Sequence, residues 1–441
     1  MLSSISRLAY GETLMIRSSW TDSNFYHISE RFQYTIRGEI CLKEKIDREI
    51  LQDAVNLAFR RFPYFCARVL FHSDEFIVVP NLLPNTVIST DKPVVLGSEE
   101  VNYHLVVITC FEDQIVFHVS HCITDGAGRS PFTKTVLYYY LAKKYALKLD
   151  AEGICLAGDA MFPDECGEPI SIRKLMKETP VCQYSIGEAY KLTDGCRVWN
   201  RERREYRFHI DEQKCMKICR ELNATPSALL SVLLARACWK QNPHIHKNIV
   251  HNLCLDMRKS LHNEHSHLLL LASIPLIFSP SMQHFSIKEL CNEAKRLINE
   301  QKQESHVRYL CKKNILEFDK IRRIKDLKMR ESVVQAHIHG REGFLSSTFI
   351  LSYMGRNHMS SLAPYIKSMY TAVDAVPDDG AIIEVTSVNG RFFFTWTQDF
   401  TEECFVSFFL EELKLIGLSA DEFCDRPVLT AKIKLPDTID S

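Results

Sequence analysis

The sequence predicts an α/β protein of two halves, in which mixed β-sheets carry packed helices. The chain has 441 residues, 46% of them hydrophobic, which is material for a large core and more than one typical domain holds. Strand-like and helix-like periodicities succeed one another on both sides of a stretch from about Asp150 to Trp199. That stretch mixes Gly, Pro, Cys and charge without sustained periodicity and reads as the connection, dividing the chain into 1–185 and 186–441.

In the first half, Phe32, Tyr34 and Ile36 mark a strand, and Asp47 opens a helix with Ile50, Leu51, Ala54, Leu57 and Ala58 on one face. Tyr103–Thr109 and Gln114–Ser120 read as two strands joined through the turn-like Glu112-Asp113. In the second strand Ile115, Phe117 and Val119 share a face. It runs into His118-Val-Ser-His-Cys-Ile-Thr-Asp-Gly-Ala-Gly128, a His-x-x-x-Asp-Gly motif with His121, Asp125 and Gly126 as its fixed positions. Gly126 and Gly128 permit sharp backbone geometry. Ser130-Pro131 has the form of a helix start, so helix is expected from Phe132 to about Tyr145.

The second half reads as a strand from Tyr206 to Ile210, a helix from Asp211, a helix opened by Thr225-Pro-Ser, and a strand from Ile249 to Leu255. A long charged helix begins at Ser286. Asn389-Gly390 separates Ile382–Val388 from Phe392–Trp396, the strongest hairpin signal in the chain. The longest apolar run, Leu268 to Phe278, is too short to span a bilayer.

The His-x-x-x-Asp-Gly motif resembles the signature of CoA-dependent acyltransferases, a superfamily that includes chloramphenicol acetyltransferases, plant acyltransferases and peptide-synthetase condensation domains. Arg61-Phe-Pro-Tyr-Phe-Cys-Ala-Arg68 is similar to the family's Arg-His-Pro-type segment. The Thr225 helix resembles the family's helix leading into Leu255-Asp-Met-Arg-Lys259, and Leu351-Ser-Tyr-Met-Gly355 resembles the Ser-Tyr-x-Gly strand of the alcohol acetyltransferase group, the closest likeness. These landmarks run from about residue 30 to about 410. The Asp-Phe-Gly-Trp-Gly run of the plant enzymes is absent, and Ser120 stands where condensation domains usually carry the first of two adjacent histidines. The resemblance implies two similar subdomains in a chloramphenicol acetyltransferase-like fold, with a tunnel completed by the second half. It implies transfer of an acyl group, foremost acetyl, from acyl-CoA as cosubstrate to an alcohol or amine, with no bound cofactor. A condensation-type enzyme served by a carrier protein in trans, and a non-catalytic binding member, are the alternatives.

An alcohol attacking a thioester needs a neighbour to take its proton, and imidazole, with an unperturbed pKa of about 6.5, suits that task. The resemblance implies that His121 is this base, without a covalent acyl-enzyme. It further implies that Asp125 points away from His121 and pairs with an arginine, Arg258 first and Arg61 second. His118, on the opposite face of its strand, is structural. Ser352 and Tyr353 are either oxyanion or tunnel groups or buried strand hydroxyls. Arg322, Arg323, Lys325 and Lys328 either hold CoA phosphates or form a solvated helix face. Cys122 is either a nucleophile or a buried thiol. His262, Glu264, His265 and His267 fit no recognised zinc spacing, so a polar loop and no metal are expected.

The 16 cysteines lack paired short spacings; the nearest pair, Cys215 and Cys219, has helical spacing, which favours reduced thiols and a cytoplasmic protein. The N-terminus shows no secretory pattern. A net charge of -1 without a basic tail argues against nucleic acid and anionic membranes as partners. Small molecules remain.

Overall fold

The computed structural model describes residues 23–436 apart from 30–32, 73, 168–171, 182–185, 196–197, 199–201, 340–345, 356–358 and 429–431. The first half contributes β1 (Thr35–Leu42), α1 (Arg48–Arg61), β2 (Ala67–His72), β3 (Glu75–Pro80), β4 (Ile88–Ser89), β5 (Val106–Phe111), β6 (Gln114–Ser120) and α2 (Gly126–Lys144). The second contributes β7 (Arg204–Asp211), α3 (Glu212–Glu221), α4 (Pro226–Gln241), β8 (Ile249–Asp256), β9 (Leu271–Phe278), α5 (Ile287–Gln301), α6 (Glu304–Arg322) and α7 (Leu327–His339). It continues with β10 (Phe349–Tyr353), β11 (Ile366–Val373), β12 (Ala381–Val388), β13 (Arg391–Gln398), α8 (Cys404–Leu415) and β14 (Asp421–Pro427).

These strands form one five-stranded sheet, in the order β11-β1-β6-β5-β4, and one seven-stranded sheet, β14-β7-β13-β12-β10-β8-β9; β2 and β3 make a separate hairpin. Both larger sheets are mixed, because β4 runs parallel to β5 and β10 runs parallel to β8 and β12. Mixed sheets with packed helices in two subdomains are therefore the architecture. One strand crosses between them: β11, from late in the chain, pairs antiparallel with β1 from Ile36↔Val373 to Leu42↔Ile366. The tail returns as well, with Ile433 bridging Leu96.

Local signals account for many element ends. The Asp47 carboxylate accepts from Glu49 N and Ile50 N and starts α1. Its apolar stripe, Leu51, Ala54, Val55 and Ala58, packs with Phe132, Val136 and Tyr140 of α2 and with Ile115, Phe117 and Val119 of β6 in the first core. Thr225 caps α4 with Pro226 in the first turn. Asn389 and Gly390 both have positive φ, 53° and 72°, as a two-residue hairpin turn of this hand demands. No helix among the described residues is long and apolar enough to cross a membrane.

Three local expectations are corrected. Helix α2 starts at Gly126 and not after Pro131, because Asp125 caps it by accepting from Gly128 N; the proline rides inside the helix and leaves one carbonyl without its helical donor. The charged helix from Ser286 is two helices, α5 and α6, broken at Lys302-Gln303. The first strand begins at Thr35, since Tyr34 stands in the left-handed region at φ 52°; Phe32 lies outside the described residues.

The two sheets meet through a buried charge network. Arg207 of β7 forks onto Glu39 of β1 at 2.6 and 2.8 Å and holds Glu205 at 2.6 Å, while Arg37 of β1 pairs with both Glu39 and Glu205. Burial alone would raise the Glu39 carboxyl, but the Arg207 and Arg37 guanidiniums hold it well below the usual carboxylate range. Elsewhere burial keeps imidazoles neutral, with His118 and His251 pushed down to about 3 and His267 to about 4.

A folded-state value below the unfolded one means that the unfolded chain takes up these protons first as pH falls. Stability is thus fully present above about pH 6.5 and is lost below it, by up to about 1.4 kcal/mol per pH unit for each such histidine. The depressed Glu39 carboxyl adds a further loss below about pH 4.5. Melting temperature measured from pH 8 to pH 4 should be level to about pH 6.5 and then fall steadily. A flat profile to about pH 5 would mean that the buried imidazoles protonate without cost.

Candidate active site

Strand β6 delivers His121 into a turn that holds the residue from several sides. Its backbone N–H donates to Tyr34 O at 2.8 Å, and the Tyr34 ring stacks on the imidazole at 4.6 Å and 22°. The imidazole Nδ1 lies 2.8 Å from Thr124 O. A carbonyl only accepts, so Nδ1 carries the proton, and in the neutral ring the lone pair is left on Nε2. The side chain is 6% exposed. Burial lowers its pKa below the ordinary histidine value, against the raising effects of the Thr124 carbonyl and the Asp125 charge. The ring is therefore neutral and able to accept a proton at pH 7.

Asp125 does not brace this imidazole. Its Oδ1 accepts from Gly128 N at 2.8 Å and Arg258 Nη2 at 2.9 Å; its Oδ2 accepts from Arg258 Nη1 at 3.1 Å and Leu270 N at 2.7 Å. Arg258 in turn uses all five N–H groups, adding Asp256 Oδ1 and the carbonyls of Ser266 and Leu268 at 2.6–2.9 Å. One buried ion pair thus caps α2 in the first half and gathers the 256–270 segment of the second.

Close contact makes Gly128 a steric requirement. A Cβ there would lie 2.4 Å from the His267 carbonyl oxygen and 2.5 Å from Thr124 Oγ1. The same carbonyl accepts from Thr124 Oγ1 at 2.6 Å. Arg61 belongs to a neighbouring network: it pairs bidentately with Glu165 at 2.5 and 2.7 Å, and Tyr64 links Glu165 to His267. Arg258, not Arg61, is the partner of Asp125.

Between the sheets lies a cavity of about 1810 Å³. Tyr34, Ile36, His121, Thr371 and Val373 wall it on the side of the five-stranded sheet, and Cys254, Ile350, Ser352, Ile382 and Glu384 wall it on the other. Asp125, Gly126, Arg258 and Tyr353 also line it, so the residues singled out around the motif and those 130 and more positions away meet in one place. Lys134, Lys259, Lys302 and Lys313 lie along its wall.

Other sequence candidates lie elsewhere. Cys122 is packed into the first core. Arg322, Arg323, Lys325 and Lys328 do not line the cavity, and the last three are exposed. His262 faces Glu304 at the surface, His265 stacks on Phe162, and His267 joins the Tyr64 network, so the three do not converge; Glu264 is exposed. Sequence reasoning missed Thr124 and Tyr34 as the groups that orient His121, and Glu384 as a cavity residue. Its place inside the motif, beside Asp125, could have flagged Thr124, whereas nothing local marks the other two.

No family model matches the sequence, and no curated protein is detectably similar. The architecture does match solved structures. Polyketide synthase associated protein 5 from Mycobacterium tuberculosis superposes with a TM-score of 0.60 at 13% identity, over 93% of this chain and 99% of that one. The starter condensation domain of rhizomide synthetase RzmA, in complex with C8-CoA and Leu-SNAC, gives 0.59 at 10% identity, over 91% and 93%. F. sporotrichioides TRI101 complexed with coenzyme A and T-2 gives 0.58 at 8%, over 90% and 98%. At these identities the likeness is one of fold.

Removing one partner of a buried pair strands the other charge at a cost of about 3–5 kcal/mol. Asp125→Ala should accordingly lower the melting temperature markedly, and Gly128→Ala should do so through overlap with the His267 carbonyl. If Asp125→Ala melts with the parent protein while the His121 imidazole titrates differently by NMR, the carboxylate acts on the histidine and not on the fold.

Proposed function

We propose that the protein is an acyltransferase that moves an acyl group, foremost acetyl, from acyl-CoA to a hydroxyl, with His121 as general base. The observation that carries this reading is the orientation of His121: Nδ1 is committed to Thr124 O, and the neutral ring lines a cavity walled by both halves. Nε2 accepts the hydroxyl proton as the oxygen attacks the thioester carbon. The tetrahedral oxyanion collapses with loss of the CoA thiolate, which takes the proton back, leaving ester and free thiol. In this reading Ser352, on the cavity wall, and Tyr353, packed edge-on against Phe392, shape the tunnel. Asp125 and Arg258 keep the histidine turn in place. Lys259, Lys302 and Lys313 supply cations for the phosphates of CoA, in place of the exposed cluster after α6. The halves 1–185 and 186–441 form the two sides of the tunnel, with β11 lent by the second to the first.

Support comes from neighbours of the same fold, TRI101 complexed with coenzyme A and T-2, and a starter condensation domain in complex with C8-CoA and Leu-SNAC. The condensation domains among them also favour a second reading, in which the donor is an acyl-loaded carrier protein in trans.

With acetyl-CoA, a panel of alcohols and detection of released thiol, His121→Ala should lose about 10²-fold or more in turnover while melting near the parent temperature. Near-normal turnover in a folded variant removes the base assignment. Transfer from carrier-bound acyl groups alone selects the second reading. Because the histidine value is lowered, kcat/KM should rise with pH through an apparent pKa below the ordinary 6.5 and be level at neutrality; a rise still under way above pH 8 would place the base elsewhere.

A further inference from the structure

Glu384 is the carboxyl group in the cavity that the chemistry above leaves unused. The other acidic side chains of the wall are already engaged: Asp125 and Asp256 bind Arg258, and Glu317 lies 3.3 Å from His337. Glu384 has no ion pair among the described residues. It stands on β12 in register with Ser352 of β10, and it is 4% exposed. Ser352 of β10 and, one strand further, Cys254 of β8 lie to one side of it on the same wall. The guanidinium that acts on it is Arg129, whose Nη2 donates to Thr371 Oγ1 at 2.9 Å and whose Nε has no partner among the described residues. Ile36, Ile350, Val373 and Ile382 make the surrounding surface apolar.

A carboxyl group held in an apolar wall has already lost its water. Whatever donor reaches it gains the full strength of a desolvated contact, and a cation gains most. We propose that Glu384 is the recognition group for an acceptor that carries an ammonium group in addition to the hydroxyl to be acylated, that is, an amino alcohol. The proposal rests on the acyltransferase reading and adds the acceptor class to it. Burial pushes the Glu384 carboxyl up to about 8, against the lowering effects of Ser352 and Arg129. The carboxyl is thus largely protonated at neutral pH, and arrival of the ammonium ion drives that proton into solvent: R–NH₃⁺ and Glu–COOH give the ion pair R–NH₃⁺···⁻OOC–Glu and H⁺.

The test compares aminohexanol, with its two terminal functions, against hexanol as acceptors for acetyl-CoA, and titrates aminohexanol calorimetrically at pH 7 in two buffers of different ionisation enthalpy. The parent protein should prefer aminohexanol in kcat/KM by about tenfold or more and release a proton on binding it. In Glu384→Gln the ratio of the two kcat/KM values should fall by about tenfold, and proton release should vanish. Should that variant not fold, Glu384→Leu, which buries no polar group, carries the same comparison. A preference for hexanol, or a ratio unchanged by either variant, overturns the proposal. If neither acceptor is acetylated the acyltransferase reading fails, and calorimetry then decides alone: aminohexanol binding that is absent, or the same in parent and variant, overturns the role of Glu384.

Discussion

The ion pair between Asp125 and Arg258 is the interaction on which the site depends. Both groups are buried, and every hydrogen-bonding position on each is used. Because the carboxylate also caps α2 and receives Leu270 N, one contact sets three things: where the helix begins, how the histidine turn closes, and where the 256–270 segment lies against it. The pair sits one turn from His121 but does not touch the ring. Its influence on chemistry is through position, since the imidazole is oriented by Thr124 O and by the stacked Tyr34.

The halves are joined by more than that pair. The Arg37–Glu39–Glu205–Arg207 network links β1 to β7, and β11 leaves the second half to complete the first sheet beside β1. Buried ion networks add little net stability over apolar packing, yet they are strongly destabilising to break, so they specify one docking geometry. Fixing that geometry matters because the cavity has one wall from each sheet. A slide of one half on the other would separate His121 from Ser352 and Glu384, and it is opposed by Val388 and Phe393 of the second half, which pack into the first core.

The cavity divides its polar groups by environment. His121 is kept neutral by burial and available to accept a proton, and Glu384 is pushed toward its neutral form by an apolar setting. Two titratable groups in one cavity with values moved in opposite directions are separable in role. The imidazole suits the reacting hydroxyl, and the carboxyl suits a feature of the acceptor remote from it.

What the sequence determined by itself was local. Period-two and helical patterns located about half of the strands and helices, Asp47, Asp211, Thr225 and Ser286 marked helix starts, and Asn389-Gly390 marked the hairpin. The motif singled out the turn holding His121, Asp125 and Gly126, and its resemblance pointed to the α/β architecture and to Arg258. These signals were legible because their physics acts within one or two turns of chain: a cap needs its N–H donors two or three residues away, and a hairpin turn needs its own two φ angles. Tertiary structure decided the rest. Local preference placed a helix start at Ser130-Pro131, but Asp125, fixed by a partner 133 residues away, won the cap. Arg61 and Arg258 are equivalent in composition, and the packing of Glu165 beside the first decided their partners. The crossing of β11, the stacking of Tyr34 and the exposure of Glu384 to the cavity leave no local trace. Each follows from how two cores dock, and the free energy of that contact is spread over residues hundreds of positions apart.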